Sequence, residues 1–180
     1  DTETYKSFNS IDVERKFKAV SNQLDLYSNL RGDDKKCAID YLRKTLYTNH
    51  GTRHEDTTAD NYSDLEVDEN FYTYPICSLE GTTYEIVGRI DRVRHDYDGN
   101  KTIVEIKNRT RNLFKTVRDY EEIQCQTYME MMDVNNCELI EQYNDSRIGY
   151  AITRDKQKWL NEIDPKLKKF CEYFHHLLSK

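Results

Sequence analysis

The stretch YEIVGRIDRVRHDYDGNKTIVEIKNR, Tyr84 to Arg109, decides how the rest of the chain is read. Its two flanks carry Val and Ile with polar residues between them: Tyr84, Ile86, Ile90 and Val93 on one side, Thr102, Ile103, Val104 and Ile106 on the other. That pattern predicts two strands. Asp96-Tyr97-Asp98-Gly99-Asn100 between them has turn chemistry, and Gly99 can take the positive φ that a hairpin needs. Side chains alternate along a strand, so Glu105 and Lys107 share one face while Ile106 turns to the other. Whether Asp91 joins them depends on register. A three-residue loop, Tyr97 to Gly99, sets Asp91 opposite Glu105; a two-residue loop, Asp98-Gly99, points it away. The expectation is the odd-length loop or a compensating bulge.

The chain of 180 residues is long enough for a single domain with a full core. Hydrophobic residues make up 37% and charged residues 33%, yet 14 Tyr and 6 Phe supply large apolar bodies with polar tips, which implies a folded, wet-surfaced protein. Five Cys, at 37, 77, 125, 137 and 171, show no CxxC pair or zinc-type spacing. The expected setting is therefore intracellular and reducing, in the cytoplasm or nucleus of a host or in a virus factory. No apolar run reaches the length of a membrane span and no secretory signal is evident. A first residue of Asp rather than Met fits a chain cut from something longer.

The formal net charge of −6 is unevenly spread. Acid gathers from Glu55 to Glu69, whereas Arg89, Arg92, Arg94, Lys101, Lys107, Arg109, Arg111, Lys115 and Arg118 crowd the central third. A basic stripe beside an acidic pocket suits a phosphate backbone presented to metal ions, although a solvated surface face has the same composition.

Outward from the hairpin, Phe17, Val20, Leu24 and Tyr27 have helical spacing, and after a break at Arg31-Gly32-Asp33 so do Ala38, Ile39, Leu42 and Leu46. A further helix from about Thr52 aligns Glu55, Ala59 and Tyr62, placing a carboxylate on an inward face where it needs a partner. His54 beside it belongs to the flank. Residues 63–70 read as an acidic loop, and Phe71 to Leu79 as a strand that Pro75 confines to an edge or a bulge. A helix from about Thr116 to Asp133 carries Val117, Tyr120, Gln124, Tyr128 and Met131 on one face, with Gln124 a polar residue in an apolar stripe. Strands over Cys137 to Gln142 and Arg147 to Thr153 follow, and an amphipathic helix with Trp159, Leu160, Ile163, Leu167, Phe170, Phe174 and Leu178 closes the chain.

Asp91, Glu105 and Glu55 come from three elements, and three converging carboxylates repel unless a cation sits among them. All-oxygen ligation selects Mg²⁺ or Mn²⁺, one or two ions, with the main-chain carbonyl of Ile106 completing the sphere. Lys107 would position or help deprotonate an attacking water, and Gln124 could hold Lys107 or that water. An isolated ExK triplet is more often an ordinary cross-strand pair; the company of Glu55 and Gln124 is what raises it to a candidate site.

This constellation resembles the PD-(D/E)XK nuclease superfamily, and within it the lambda exonuclease and viral recombinase (alkaline exonuclease) group and RecB-like nuclease domains. Gly51-Thr52-Arg53-His54-Glu55 with Ala59 looks like that group's helix motif, Gly88-Arg89-Ile90-Asp91 its Asp motif, and Val104-Glu105-Ile106-Lys107 its ExK strand. Gln124-Cys125-Gln126-Thr127-Tyr128 looks like both its Q-x-Q and its Q-x-x-x-Y runs. The resemblance implies an α/β fold with a restriction-endonuclease-like core, a mixed central sheet flanked by helices. It implies one nuclease domain over 1–180, with 1–48 a helical extension and 49–180 the core. It further implies catalytic Asp91, Glu105, Lys107, Gln124 and Glu55, and metal ligation by Asp91, Glu105, Ile106 and Glu55. Nucleic-acid contacts are expected from Arg89, Arg109, Arg111, Lys115, Arg118 and Tyr128. The implied activity is Mg²⁺-dependent phosphodiester hydrolysis, with a DNA exonuclease of viral-type recombination or end processing leading. An endonuclease acting on RNA or structured DNA and a catalytically silent nucleic-acid-binding module stay open. DNA is expected before RNA as partner, a recombination protein is admitted as a second, no membrane is involved, and the oligomeric state is open.

Overall fold

Two helices lead into the sheet. The computed structural model describes residues 12–27, 29–60 and 62–179, with the side chains of 27 and 51–57 outside that description. Helix α1 (Val13–Tyr27) starts where Asp12 Oδ1 accepts the N–H groups of Glu14 and Arg15, at 2.9 and 3.1 Å, which satisfies amides that open a helix without partners. Helix α2 (Gly32–Ala59) begins with Asp33 and Asp34 in its first turn, favourable charge at the positive end of the dipole. The break expected at Arg31 to Asp33 is present, with Gly32 at φ 54°. A second break before Thr52 is not: α2 runs through Gly51 without interruption and across the expected boundary at 48/49, so extension and core share one element. Phe17 of α1 is buried beneath the Arg43 guanidinium of α2, 4.7 Å from the ring centre, and Tyr47 of α2 donates to Glu14.

The strands are β1 (Glu66–Val67), β2 (Tyr72–Leu79), β3 (Thr82–Gly88), β4 (Arg92–His95) and β5 (Lys101–Asn108), then, after helix α3 (Asp119–Met132), β6 (Asn136–Tyr143) and β7 (Ser146–Thr153). They form a five-stranded sheet in the order β1-β4-β5-β6-β7 and a separate two-stranded sheet of β2 and β3. All pairs in the larger sheet are antiparallel except β5 with β6, whose parallel pairing requires the crossover that α3 supplies. This is the mixed sheet flanked by helices that the sequence led us to expect.

The run from Tyr84 to Val93 differs from its expectation as one strand. Gly88 pairs with Tyr72 in the small sheet and Arg92 with Val104 in the large one, so the chain changes partners across Arg89, Ile90 and Asp91. Pro75 sits beside the register shift between Pro75 and Cys77, the bulge that lets a strand tolerate a residue without an N–H donor. Helix α3 starts at Asp119 rather than Thr116, because Lys115 is left-handed at φ 59° and the preceding cap, Arg118, is extended.

The large sheet buries both faces. Ile103, Cys137 and Leu139 pack with Cys125 and Met129 of α3, with Ile90, Val93 and Val134 in the same cluster. Val104, Ile106 and Ile140 pack on the other side against Ala59 at the end of α2, with Tyr62 and Leu65 beside them. At the C-terminus, α4 (Lys156–Lys158) passes into a π turn (Trp159–Ile163) and then α5 (Asp164–Leu178). In that turn the Asp164 N–H reaches back five residues to the Trp159 carbonyl, just ahead of Pro165, which has no N–H to continue an ordinary ladder. Trp159, Ile163 and Cys171 face inward, whereas Leu160, Phe170 and Leu178 of the expected stripe are exposed. Among the described residues no helix is long and apolar enough to cross a membrane.

Candidate functional site

The β4–β5 hairpin closes through three residues, Tyr97 to Gly99. The Asp96 N–H reaches the Asn100 carbonyl at 3.0 Å, the Gly99 N–H returns to the Asp96 carbonyl at 3.0 Å, and Gly99 has φ 80°. Asp96 braces the turn, its Oδ1 accepting the N–H groups of Asp98 and Asn100 at 2.9 and 2.8 Å. The resulting register pairs Arg92 with Val104 and Val93 with Ile103. Asp91 lies in the bend just ahead of β4, and its Oδ2 accepts the Ile106 N–H at 2.7 Å, which ties it to β5 between Glu105 and Lys107. That bond sets the Ile106 peptide beside Asp91, while the Ile106 side chain turns into the apolar face toward α2.

Lys107 and Gln124 complete the cluster. Lys107 Nζ lies 2.6 Å from Glu105 Oε1 and 3.0 Å from Gln124 Oε1, and Gln124 Nε2 donates to Glu105 Oε1 at 2.9 Å and to the Tyr128 hydroxyl at 3.2 Å. One amide thus bridges acid, ammonium and phenol. Helix α3 buries Glu121, Cys125, Gln126 and Met129, so Gln124 and Tyr128 stand on its flank rather than on its core face, and Tyr120 of the expected stripe is exposed. Gly88 is needed for this approach: a Cβ there would come within 2.6 Å of Tyr128 Cε1.

Burial and charge compete at each titratable group. The Glu105 side chain is only 4% exposed. Burial pushes the Asp91 carboxyl above its ordinary range, against the Ile106 N–H and the charges of Lys107, Arg92 and Arg89. For Lys107 burial alone would lower the pKa, but the charge and hydrogen bond of Glu105, with Asp91 and Glu121 behind them, hold it above the usual lysine value. Burial, with Glu105 and Asp91 adding to it against the Gln124 hydrogen bond, raises Tyr128, which stays a neutral phenol.

Of the other candidates, Glu55 falls within α2 but its side chain lies outside the described residues. The end of α2 nonetheless comes close to the site, because Thr58 Oγ1 donates to Asn108 Oδ1 at 2.7 Å, one residue past Lys107. Arg89, Lys115 and Arg118 are exposed. Arg111 is exposed too, with Nη2 on Glu14 Oε2 at 2.9 Å. Arg109 departs from the expectation of a phosphate contact. It is turned inward and 10% exposed, with Nη1 at 2.7 Å from Glu121 Oε1, and Nε and Nη2 at 2.9 and 2.6 Å from Glu141 Oε1. Two buried carboxylates claim that guanidinium before any phosphate could.

Glu121 and Glu141 are the residues the sequence reading passed over. Glu141 carried one signal, an acid inside the apolar run Cys137-Glu138-Leu139-Ile140-Glu141. Glu121 carried another, an acid three residues past a cap, where its Oε2 accepts the Arg118 N–H at 3.2 Å. Beside them opens a cleft of about 750 Å³ between α2 and the segment after β5, lined among others by Arg43, Lys44, Tyr47, Asn108, Arg111 and Phe114.

Glu105, buried, and Asp91, partly buried, offer carboxylate oxygens, donors that suit a hard divalent cation. Among the described residues no three His, Cys, Asp or Glu side chains gather closely enough to hold a metal alone.

A family profile described as the PD-(D/E)XK nuclease superfamily matches residues 7–178. No curated protein matches the chain. Among solved structures, the crystal structure of SSO0001 superposes with a TM-score of 0.51 at 18% identity, covering 74% of this chain and 61% of that one. The chain therefore spans about three fifths of that protein's length. An alkaline exonuclease (LHK-Exo) from Laribacter hongkongensis gives a TM-score of 0.46 at 14% identity, covering 88% of this chain and 91% of that one.

Proposed function

Because the chain belongs to the PD-(D/E)XK nuclease superfamily, we propose that it is a divalent-metal-dependent deoxyribonuclease that degrades linear DNA from an end, in recombination or end processing of a viral-type genome. The observation that carries the reading is the bonded cluster of Lys107, Glu105 and Gln124, with Asp91 tied in beside it through the Ile106 N–H. Asp91 and Glu105, with Glu55 and the Ile106 carbonyl, are the groups that would hold Mg²⁺ or Mn²⁺. When bound, such an ion supplies an activated water and charge stabilisation at the scissile phosphate.

The chain's own residues do the rest. Lys107, kept protonated by its acidic neighbours, donates from Nζ to the attacking water and to a phosphate oxygen as negative charge builds there. Gln124 keeps that ammonium in place through Oε1 and anchors itself on Tyr128. One DNA strand would run along the cleft from Asn108, where Arg43, Lys44 and Arg111 meet its phosphates and Tyr47 offers an aromatic face. Arg89, Lys115 and Arg118 extend the cationic surface.

The test is hydrolysis of end-labelled linear duplex and of a covalently closed circle, with Mg²⁺, Mn²⁺ or EDTA. Wild type should degrade the linear substrate alone and only with metal. Lys107→Ala and Asp91→Ala should each lower the rate by about 10² to 10⁴-fold. Cutting of the closed circle would show an endonuclease, and metal-independent binding without hydrolysis would show a silent binding module. Unchanged rates in both variants would reject the site.

A further inference from the structure

Two ties join β5 to α3 side by side. Lys107 Nζ meets Gln124 Oε1 at 3.0 Å. Two residues further on, just past the end of β5, Arg109 Nη1 meets Glu121 Oε1 at 2.7 Å, and Glu121 stands three positions, just under one turn, before Gln124 on α3. The outer tie is anchored again on β6, through Arg109 and Glu141 at 2.6 Å, and Glu141 is the register partner of Lys107 in the parallel pair. Glu141 further accepts the N–H groups of Phe114 and Lys115, at 3.3 and 3.1 Å, while the Phe114 ring lies 4.0 Å from the Arg109 guanidinium and 4.5 Å from that of Arg118. Glu121 and Glu141 have no exposure at all.

Two buried carboxylates on one guanidinium leave surplus negative charge indoors, an arrangement that adds little stability over apolar residues of the same volume. What it does supply is direction, since a planar fork hydrogen-bonded to Glu141 through Nε and Nη2 and ion-paired to Glu121 through Nη1 is held in one orientation. We propose that Arg109, Glu121 and Glu141 are positioning residues: their ladder sets the separation of β5 and α3 at the point where Lys107 meets Gln124, and so where the ammonium stands relative to Asp91 and Glu105. The proposal rests on the nuclease reading above.

The experiment measures hydrolysis of a labelled linear duplex with Mg²⁺ or Mn²⁺ by wild type, Arg109→Lys, Glu121→Gln and Glu141→Gln, each also combined with Gln124→Ala. The expected result is a kcat lowered about tenfold to hundredfold, with KM and duplex affinity in EDTA within about twofold of wild type. Combination with Gln124→Ala should add no further loss, because both changes act through one contact. Wild-type kcat in the ladder variants overturns the proposal, as do losses that multiply with Gln124→Ala. Loss of cooperative unfolding in all three single variants makes the ladder a folding element and overturns it too. An inactive wild type sinks the nuclease reading and this proposal together; activity abolished by Lys107→Ala yet indifferent to the ladder variants rejects the ladder alone.

Discussion

Gly88 shows how a single missing side chain can support a site it does not enter. The Tyr128 ring occupies the space where a Cβ would stand, and the Tyr128 hydroxyl receives Gln124 Nε2. Gly88→Ala should therefore destabilise the fold by about 1 to 3 kcal/mol and lower the hydrolysis rate, and adding Tyr128→Ala should recover stability but not rate. Urea unfolding and initial rates separate the two effects. Asp68 is a second case, an acid from the stretch read as a loop that is buried instead. Burial alone would raise its pKa, but bonds from Tyr72, Asn70 and Lys101 outweigh it and bring it down to about 2. A folded-state pKa below the unfolded value of about 3.9 means stability that is complete above that value and lost as pH falls toward 2. Asp68→Asn should cost on the order of 1 to 2 kcal/mol at pH 6 and almost nothing near pH 2, as read from urea midpoints at the two pH values. Asp91, Glu105, Lys107 and Gln124 were legible in the sequence because each stands out from its local pattern. Arg109 was misread and Glu121 and Glu141 missed for one reason: a sequence shows charges but not which of them cancel across strands.

The hairpin was readable as an element because its loop obeys local rules. Turn residues, an Asp that can accept from backbone and a Gly able to take positive φ together select the three-residue closure. Gly99→Ala should cost about 1 to 2 kcal/mol, a fall of roughly 2 to 4 °C in Tm per kcal/mol for a chain of this size. An unchanged Tm would mean the loop bears no strain with a side chain. The break between β3 and β4 was less legible, since alternation continues through Arg89 to Asp91 while the partners change from one sheet to the other. Partner choice is a property of distant strands, which a local pattern does not show.

Across the whole molecule, the net charge of −6 conceals a division of labour. Many cations are already engaged: Arg94 with Asp64 and Glu138, Arg154 with Glu130 and Asp133, Arg109 with its two glutamates. Among the described residues, Arg43, Lys44 and Arg111 at the cleft and Arg89, Lys115 and Arg118 on the surface are placed to meet a polyanion. Lys44→Ala, Lys115→Ala and Arg118→Ala should each reduce the slope of log affinity against log salt by about 0.9, measured in EDTA on a labelled duplex, whereas Arg109→Lys should leave that slope unchanged. A loss of slope in Arg109→Lys equal to theirs would return it to the phosphate contacts.

The parallel pairing of β5 with β6 also divides the site's contacts by their distance along the chain. Asp91, Glu105 and Lys107 belong to one hairpin whose contacts are close in sequence and form with little loop to close. Gln124 joins them from α3, and Arg109 meets Glu141 across the crossover that brings β6 alongside. The acidic centre thus rests on neighbours close in sequence, whereas the aim of its ammonium rests on partners that the crossover brings from far along the chain.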